Sequence, residues 1–221
     1  MSYVTPATLD RKTDEWLQTI LPYNQHDWLI EPDNAVLLVI DCQNFFVSEP
    51  KPKGAPILPR IQTLIDAFRD AARPVIFTRH MHKADGSDLG LIGKWWSENI
   101  IENTPESEIR PALDVRPGDI VIRKNVYSAF QGTNLEEILR AFNITDIVIA
   151  GVMTNLCCET TARDAFCRNF RVFFPADATG TSSEDLHLAT LMNIGFGFGP
   201  VLRTRDVVDR LRLGGKTIPI P

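Results

Sequence analysis

The sequence is poor in the features that assign proteins to specialised classes. Only 4 cysteines occur in 221 residues. They lack regular spacing, which excludes a disulfide scaffold and fits a reducing, cytoplasmic setting. Long apolar runs are missing too: AVLLVI at 35–40 is the longest, far short of the roughly 18 residues a membrane span requires. The start, MSYVTPATLDRKTDEW, is polar and acidic and does not read as a signal peptide. Basic residues are not in excess: 23 Lys and Arg against 28 Asp and Glu give −5, which offers nucleic acid no general attraction. No repeat or low-complexity tract appears, apart from the proline-rich EPKPKGAPILP at 49–59, which reads as a loop.

The composition that remains, 44% hydrophobic and 23% charged, is that of an ordinary globular chain. At about 100–200 residues per domain the length favours one domain. The expected division is an N-terminal arm at 1–33, one domain at 34–213 and a tail at 214–221. The arm holds Tyr3, Trp16, Tyr23 and Trp28. It either packs on its own domain or grips a second subunit.

Short β-branched runs alternate with helix-like stretches. Strands are predicted at 35–41, 74–79, 119–124, 146–151, 170–175 and 200–204. The first, AVLLVID, is apolar on both faces, as in a buried parallel sheet. Between the strands lie helical patterns such as Ile61, Leu64, Ile65 and Phe68, or Leu135, Ile138, Leu139 and Phe142. Others are expected near 156–168, 183–193 and 205–212. The pattern predicts an α/β fold: a doubly wound, six-stranded, mainly parallel sheet with helices on both faces. Ligands in such folds bind outside the carboxyl ends of the strands. That rim gathers Asp41, Arg79 and His80, Lys124 and Gly151.

Cys157, in GVMTNLCCETTARDA, falls at a strand-to-helix junction. Helix amides and dipole there would lower a thiol pKa from about 8.5 toward neutrality. The plainer reading is a buried structural cysteine. Cys158 lies about 100° further round a helix, so one of the two thiols is packing. Asp41 and Lys124 each end a strand, where a lone charge is often merely solvated. Together the three place carboxylate, ammonium and thiol on one rim. An ammonium favours thiolate, and a carboxylate can take the thiol proton and return it to a leaving amine.

Asp41 in DCQNFF, Lys124 in RKNVYSAF and Cys157 in GVMTNLCCETTARDA resemble the three signature blocks of the isochorismatase-like cysteine hydrolases. This superfamily includes nicotinamidases, N-carbamoylsarcosine amidases and ureidoacrylate amidohydrolases. The resemblance covers about residues 30–210. It implies Cys157 as nucleophile, Asp41 as general base and acid, and Lys124 as stabiliser of thiolate and charged intermediates. It also implies a cis peptide at Val152–Met153, with the amides of Met153 and Cys157 as an oxyanion hole. Relatives are commonly dimers or tetramers, so a homo-oligomer is expected.

Two departures from the family pattern bear on function. LPYNQHDWLIEPDNAVLLVID, YSAF and TTARDAF look more like true isochorismatases, which cleave a vinyl ether by protonation. Those enzymes typically carry glycine at the place of Cys157 and cysteine at that of Cys158. The presence of Cys157 therefore favours acyl-enzyme chemistry on an amide, ureido or carbamoyl compound. The rivals are a vinyl ether hydrolase using Asp41 as acid, and a binding or redox-sensing protein with a reactive Cys157.

The second departure concerns metal. Nicotinamidases carry Asp and His ligands after the second strand, where this chain has RHMHKADGSD at 79–88. His80 and His82, two apart on extended backbone, point the same way. Asp85 or Asp88 would have to complete a ligand set. No metal or other cofactor is therefore expected, and the histidines are read as pocket lining for a small-molecule substrate. Phe46, Tyr127, Trp95 and Trp96 are read as further substrate contacts, the tryptophans as a lid or aromatic wall.

Overall fold

A computed structural model describes residues 3–48 and 54–214. Residues 49–53 of the proline-rich stretch, and the expected tail from 215 on, lie outside the described residues. The sheet contains β1 (Ala35–Ile40), β2 (Val75–His80), β3 (Ile120–Lys124), β4 (Asp146–Val152), β5 (Arg171–Pro175), β6 (Thr179–Gly180) and β7 (Val201–Leu202). Its order is β3-β2-β1-β4-β5-β7, with the two-residue β6 paired to β4. All these pairings are parallel. The expected doubly wound architecture is present, with one short strand more than the six predicted.

Burial explains the order. Every residue of β1 and β4 is buried, so these two apolar strands take the centre. At the β3 edge the pleat alternates, burying Ile122 and Lys124 while Val121 and Arg123 face out. The helices are α1 (Leu9–Ile20), α2 (Asn44–Val47), α3 (Leu58–Asp70), α4 (Ile92–Trp95), α5 (Leu135–Ala141), α6 (Glu159–Cys167), α7 (Glu184–Gly197) and α8 (Thr204–Leu213). α3 buries Ile61, Leu64, Ile65 and Phe68 as its spacing predicts, and it packs against α8. The right-handed crossover rule puts α5, α6 and α7 over the opposite face, and α6 packs on α7. α5 stops one residue before Phe142, which is exposed rather than part of the buried stripe.

The arm contains a helix that was not predicted. In α1 the buried residues Leu9, Thr13, Trp16 and Ile20 recur at helical spacing. Trp16 Nε1 donates to Glu184 Oε1 at 2.7 Å, and Lys12 pairs with the same carboxylate at 3.0 Å. α1 thus packs on α7 of its own chain.

The chain leaves β1 for β2 and β3 on one side, then returns for β4 on the other. The crevice at this reversal, above the carboxyl ends of β1 and β4, is where doubly wound sheets bind ligands. Gly151 makes the two strand ends fit. Its φ of +124° is open to glycine, and a Cβ there would lie 2.1 Å from the Ile40 carbonyl oxygen. Gly151→Ala is expected to destabilise the fold by about 3 kcal/mol or more, from strain plus overpacking. Thermal unfolding beside Gly197→Ala, whose Cβ would meet nothing within 4 Å, checks this.

Candidate active site

Each of the three rim residues is delivered by a different strand end. Asp41 follows β1 with φ +49°, a left-handed turn that aspartate tolerates better than most residues. Thr78 of β2 fixes it twice: Thr78 Oγ1 donates to Asp41 Oδ1 at 2.5 Å, and the Asp41 amide donates to Thr78 Oγ1 at 3.1 Å. Lys124 ends β3, two strands away, and crosses above β2. Its Nζ lies 2.6 Å from Asp41 Oδ2 and 3.3 Å from Cys157 Sγ, and donates to the Val126 carbonyl at 3.0 Å. Both charged side chains are fully buried.

Cys157 follows β4. The Val152–Met153 peptide is cis, and a π-type turn over Thr154–Cys158 leads into α6. The Met153 carbonyl accepts hydrogen bonds from the amides of Leu156 and Cys158, at 3.1 and 3.2 Å. The structure thus corrects the expectation of an α-helical N-terminus with a thiol near neutrality. Burial pushes the Cys157 thiol up to about 12; Lys124 pulls it down, and Asp41 opposes that pull. Desolvation of the anion outweighs the ammonium, so the resting sulfur keeps its proton. For Lys124, burial favours the neutral amine, but Asp41 and Cys157 more than compensate and hold its pKa above the ordinary value. Cys158 is fully buried, and burial pushes its thiol well above the ordinary value.

A cleft enclosing about 690 Å³, open mouth included, reaches His80, which has a ring nitrogen within 4.8 Å of donor atoms of Asp41 and Cys157. Phe46, His80, Trp96 and Tyr127 line it, with Met153 at its base. Trp96 Nε1 donates to Tyr127 Oη at 2.8 Å, so these two walls hold one another. Two other expected contacts stand apart from the cleft lining. His82 is fully buried, with Nδ1 3.3 Å from the Asp88 carbonyl oxygen. Trp95 is 79% exposed on α4.

The sequence reading missed Phe45, Ile92 and Leu156, which also line the cleft. It also missed Thr78 and Gln43. Gln43 accepts from the His80 amide at 2.8 Å and donates to the His80 carbonyl at 2.9 Å. The alternation of DCQNFF was the available signal for Gln43; nothing local distinguishes Thr78.

Burial, then the Lys124 ammonium, push His80 down to about 4, so its imidazole is neutral. Its Nδ1 has no hydrogen-bond partner among the described residues. A resident metal does not fit this set. Asp41, His80 and Cys157 have donor atoms within 4.8 Å of one another, but Lys124 already lies against two of them. Asp88 and Asp85 are engaged by Arg123 and the Ser87 amide.

An isochorismatase domain matches residues 35–206. The chain belongs to the isochorismatase family. It is 50% identical to nicotinamidase 3 of Arabidopsis thaliana over 167 residues, 74% of this chain and 82% of that protein. It is 31% identical to the ureidoacrylate amidohydrolase RutB of Methylobacterium radiotolerans, covering 81% of this chain and 80% of that one. Among solved structures, a cysteine hydrolase from Pseudomonas syringae superposes with a TM-score of 0.81 at 31% identity. That match covers 85% of this chain and 96% of the other.

Two outcomes follow from this isochorismatase-family site. Lys124→Met is expected to cut iodoacetamide alkylation of Cys157 at fixed pH by about 10-fold or more, since a nearby opposite charge is worth about 1–3 pKa units. It also strands Asp41 in the interior, costing about 3–5 kcal/mol, and Asp41→Asn added to Lys124→Met should recover much of that loss in urea unfolding.

The second outcome concerns the buried imidazoles. His80 near 4 and His187, which burial pushes down to about 3, lie below the ordinary 6.5. The unfolded chain therefore binds more protons below that value. Stability should fall as pH drops from about 6.5 toward 5, by up to about 1.4 kcal/mol per unit for each histidine. Urea unfolding across that window measures the slope.

Proposed function

We propose that this protein is a cysteine hydrolase that cleaves the C–N bond of a small, neutral, planar amide, with an aromatic carboxamide such as nicotinamide as the preferred kind. The observation that carries this reading is the buried Lys124 ammonium, in contact with both the Asp41 carboxylate and the Cys157 thiol. The 50% identity to a nicotinamidase supports the amide. The cleft supports the neutral, planar part. Its walls include Phe45, Phe46, Trp96 and Tyr127, and among the described residues none that lines it is Lys or Arg.

In this mechanism Cys157 Sγ attacks the amide carbon while Asp41 takes the thiol proton. The high thiol pKa makes proton transfer and attack one event rather than use of a standing thiolate. Lys124 offsets the negative charge passing between carboxylate and sulfur. The amides of Met153 and Cys157 receive the developing oxyanion; a donor of this kind is worth about 10²–10³ in turnover. Asp41 returns the proton to the amide nitrogen as the C–N bond breaks, and ammonia leaves a thioester. Water then adds to the thioester with Asp41 again taking a proton, and C–S cleavage restores the thiol. His80 Nδ1, without a partner among the described residues, is the atom assigned to a polar group of the substrate.

Among the described residues the cleft lining is mainly aromatic and apolar and includes no Lys or Arg, which supports an amide over isochorismate with its two carboxylates. Four free cysteines support a reducing, cytoplasmic setting, and the resemblance supports a homo-oligomer. Among the described residues no helix is long and apolar enough to cross a membrane.

Cys157→Ala is expected to abolish turnover, whereas Cys158→Ala keeps it and loses only stability. A panel of nicotinamide, ureido acids, N-carbamoyl compounds and isochorismate, with mass spectrometry of the trapped thioester, tests the assignment. Nicotinamide should exceed the carboxylate-bearing substrates in kcat/KM by about tenfold or more, the scale on which a pocket discriminates. Isochorismate cleavage that survives Cys157→Ala would establish the alternative instead.

A further inference from the structure

His187 takes no part in the mechanism above, yet it is bonded to the turn that carries the thiol. It lies in the first part of α7, fully buried. Its Nδ1 and Thr154 Oγ1 are 3.0 Å apart, and Thr154 opens the π-type turn bearing Cys157. Nε2 has no hydrogen-bond partner among the described residues. The imidazole leaves Nε2 unsatisfied, at about 1–3 kcal/mol, while its Nδ1 serves the fully buried Thr154 hydroxyl; an apolar pair at 154 and 187 would fill the space with neither cost. Packing alone therefore does not account for an imidazole here.

The surroundings hold the ring in place. Trp16 lies against it with ring centroids 4.4 Å apart, and Tyr3 stands at 5.9 Å. The Trp16 indole is itself anchored by Glu184. The next residue of the turn is tied to the same region, because Thr181 Oγ1 donates to Asn155 Oδ1 at 2.6 Å. Tyr3 Oη accepts from the Thr181 amide at 3.4 Å. The N-terminal segment thus backs the nucleophile turn through two linked contacts.

We propose that His187 is a positioning residue: it holds Thr154, and through it the turn, so that Cys157 Sγ faces the cleft and the Lys124 ammonium. The inference rests on Cys157 being the nucleophile but not on the identity of the substrate. A turn of π geometry is a local excursion from the helix that follows, and such excursions recur at functional sites. The hydroxyl–imidazole bond gives this one an external anchor. Misplacement of a reacting atom by about 1 Å can cost about 10²-fold, so a modest relaxation of the turn should be visible in rate.

The test uses the full chain with His187→Leu, Thr154→Val, the two combined, and His187→Asn. Asparagine sets an amide atom where Nδ1 stands. Three quantities are read: the rate of Cys157 alkylation by iodoacetamide, kcat and KM on the best substrate, and the thermal midpoint. His187→Leu and Thr154→Val should each slow alkylation and kcat about tenfold, with KM within about twofold. The combined variant should be no slower than either single one, because both delete the same bond. His187→Asn should restore most of the rate.

Wild-type alkylation and kcat in folded Thr154→Val would overturn the proposal, as would additive losses in the combined variant. If His187→Leu does not fold, Thr154→Val and His187→Asn decide between these results. Slowed alkylation in a protein that hydrolyses no amide would sustain the positioning role while refuting the proposed function.

Discussion

A lysine ammonium held without solvent between a carboxylate and a thiol is the constraint on which the rest of the site depends. Removing an ion from water costs several kcal/mol even after relaxation, and only close partners offset it. Lys124 has such partners in Asp41 and in the Val126 carbonyl. The third, Cys157, is the one whose charge changes during attack. Moving the thiol proton to Asp41 redistributes charge around the same ammonium. Lysine suits the position because its stem spans from β3 past β2 to the end of β1. A shorter side chain at the sheet edge would not arrive.

The fold provides the immobility this arrangement needs. β1 and β4 are buried along their whole length and pair through six residues, so the ends that present Asp41 and the Cys157 turn cannot shift independently. Thr78 braces Asp41 from β2, and the Gln43 amide ties the strand end of His80 to the loop that follows Asp41. The side chains are thus held by hydrogen bonds whose other halves sit on rigid elements. This is the usual requirement for a preorganised electrostatic site.

The cleft is made differently. Its aromatic walls come from α2, from the long connection between β2 and β3, and from the segment after β3, where packing is looser and side chains are partly exposed. The chemistry therefore resides on the sheet and the selectivity on its loops. Members of one family can share the former and differ in the latter. The likeness of one chain to both a nicotinamidase and an isochorismatase is of this kind. What separates the readings here is the pairing of Cys157 with a lining that, among the described residues, is largely aromatic.

The alternating pattern of the chain determined the sheet, its parallel sense and the rim on which Asp41, Lys124 and Cys157 lie, because apolar periodicity records which faces are buried. The three motifs likewise pointed to the groups we propose to react, since their residue types limit the chemistry. Helix α1 is marked by Leu9, Thr13, Trp16 and Ile20 at helical spacing, a weak signal in an otherwise polar segment. Other features depended on contacts distant in sequence. The state of the Cys157 thiol was set by desolvation, which no local motif encodes, and it reversed the helix-dipole expectation. Trp95 and Trp96 are adjacent in sequence, yet only Trp96 finds a partner, in Tyr127, and lines the cleft. His187 lies 33 residues from Thr154 with no periodicity to connect them. Tertiary structure decided these points because burial and hydrogen-bond partnership belong to the folded neighbourhood rather than to any stretch of chain.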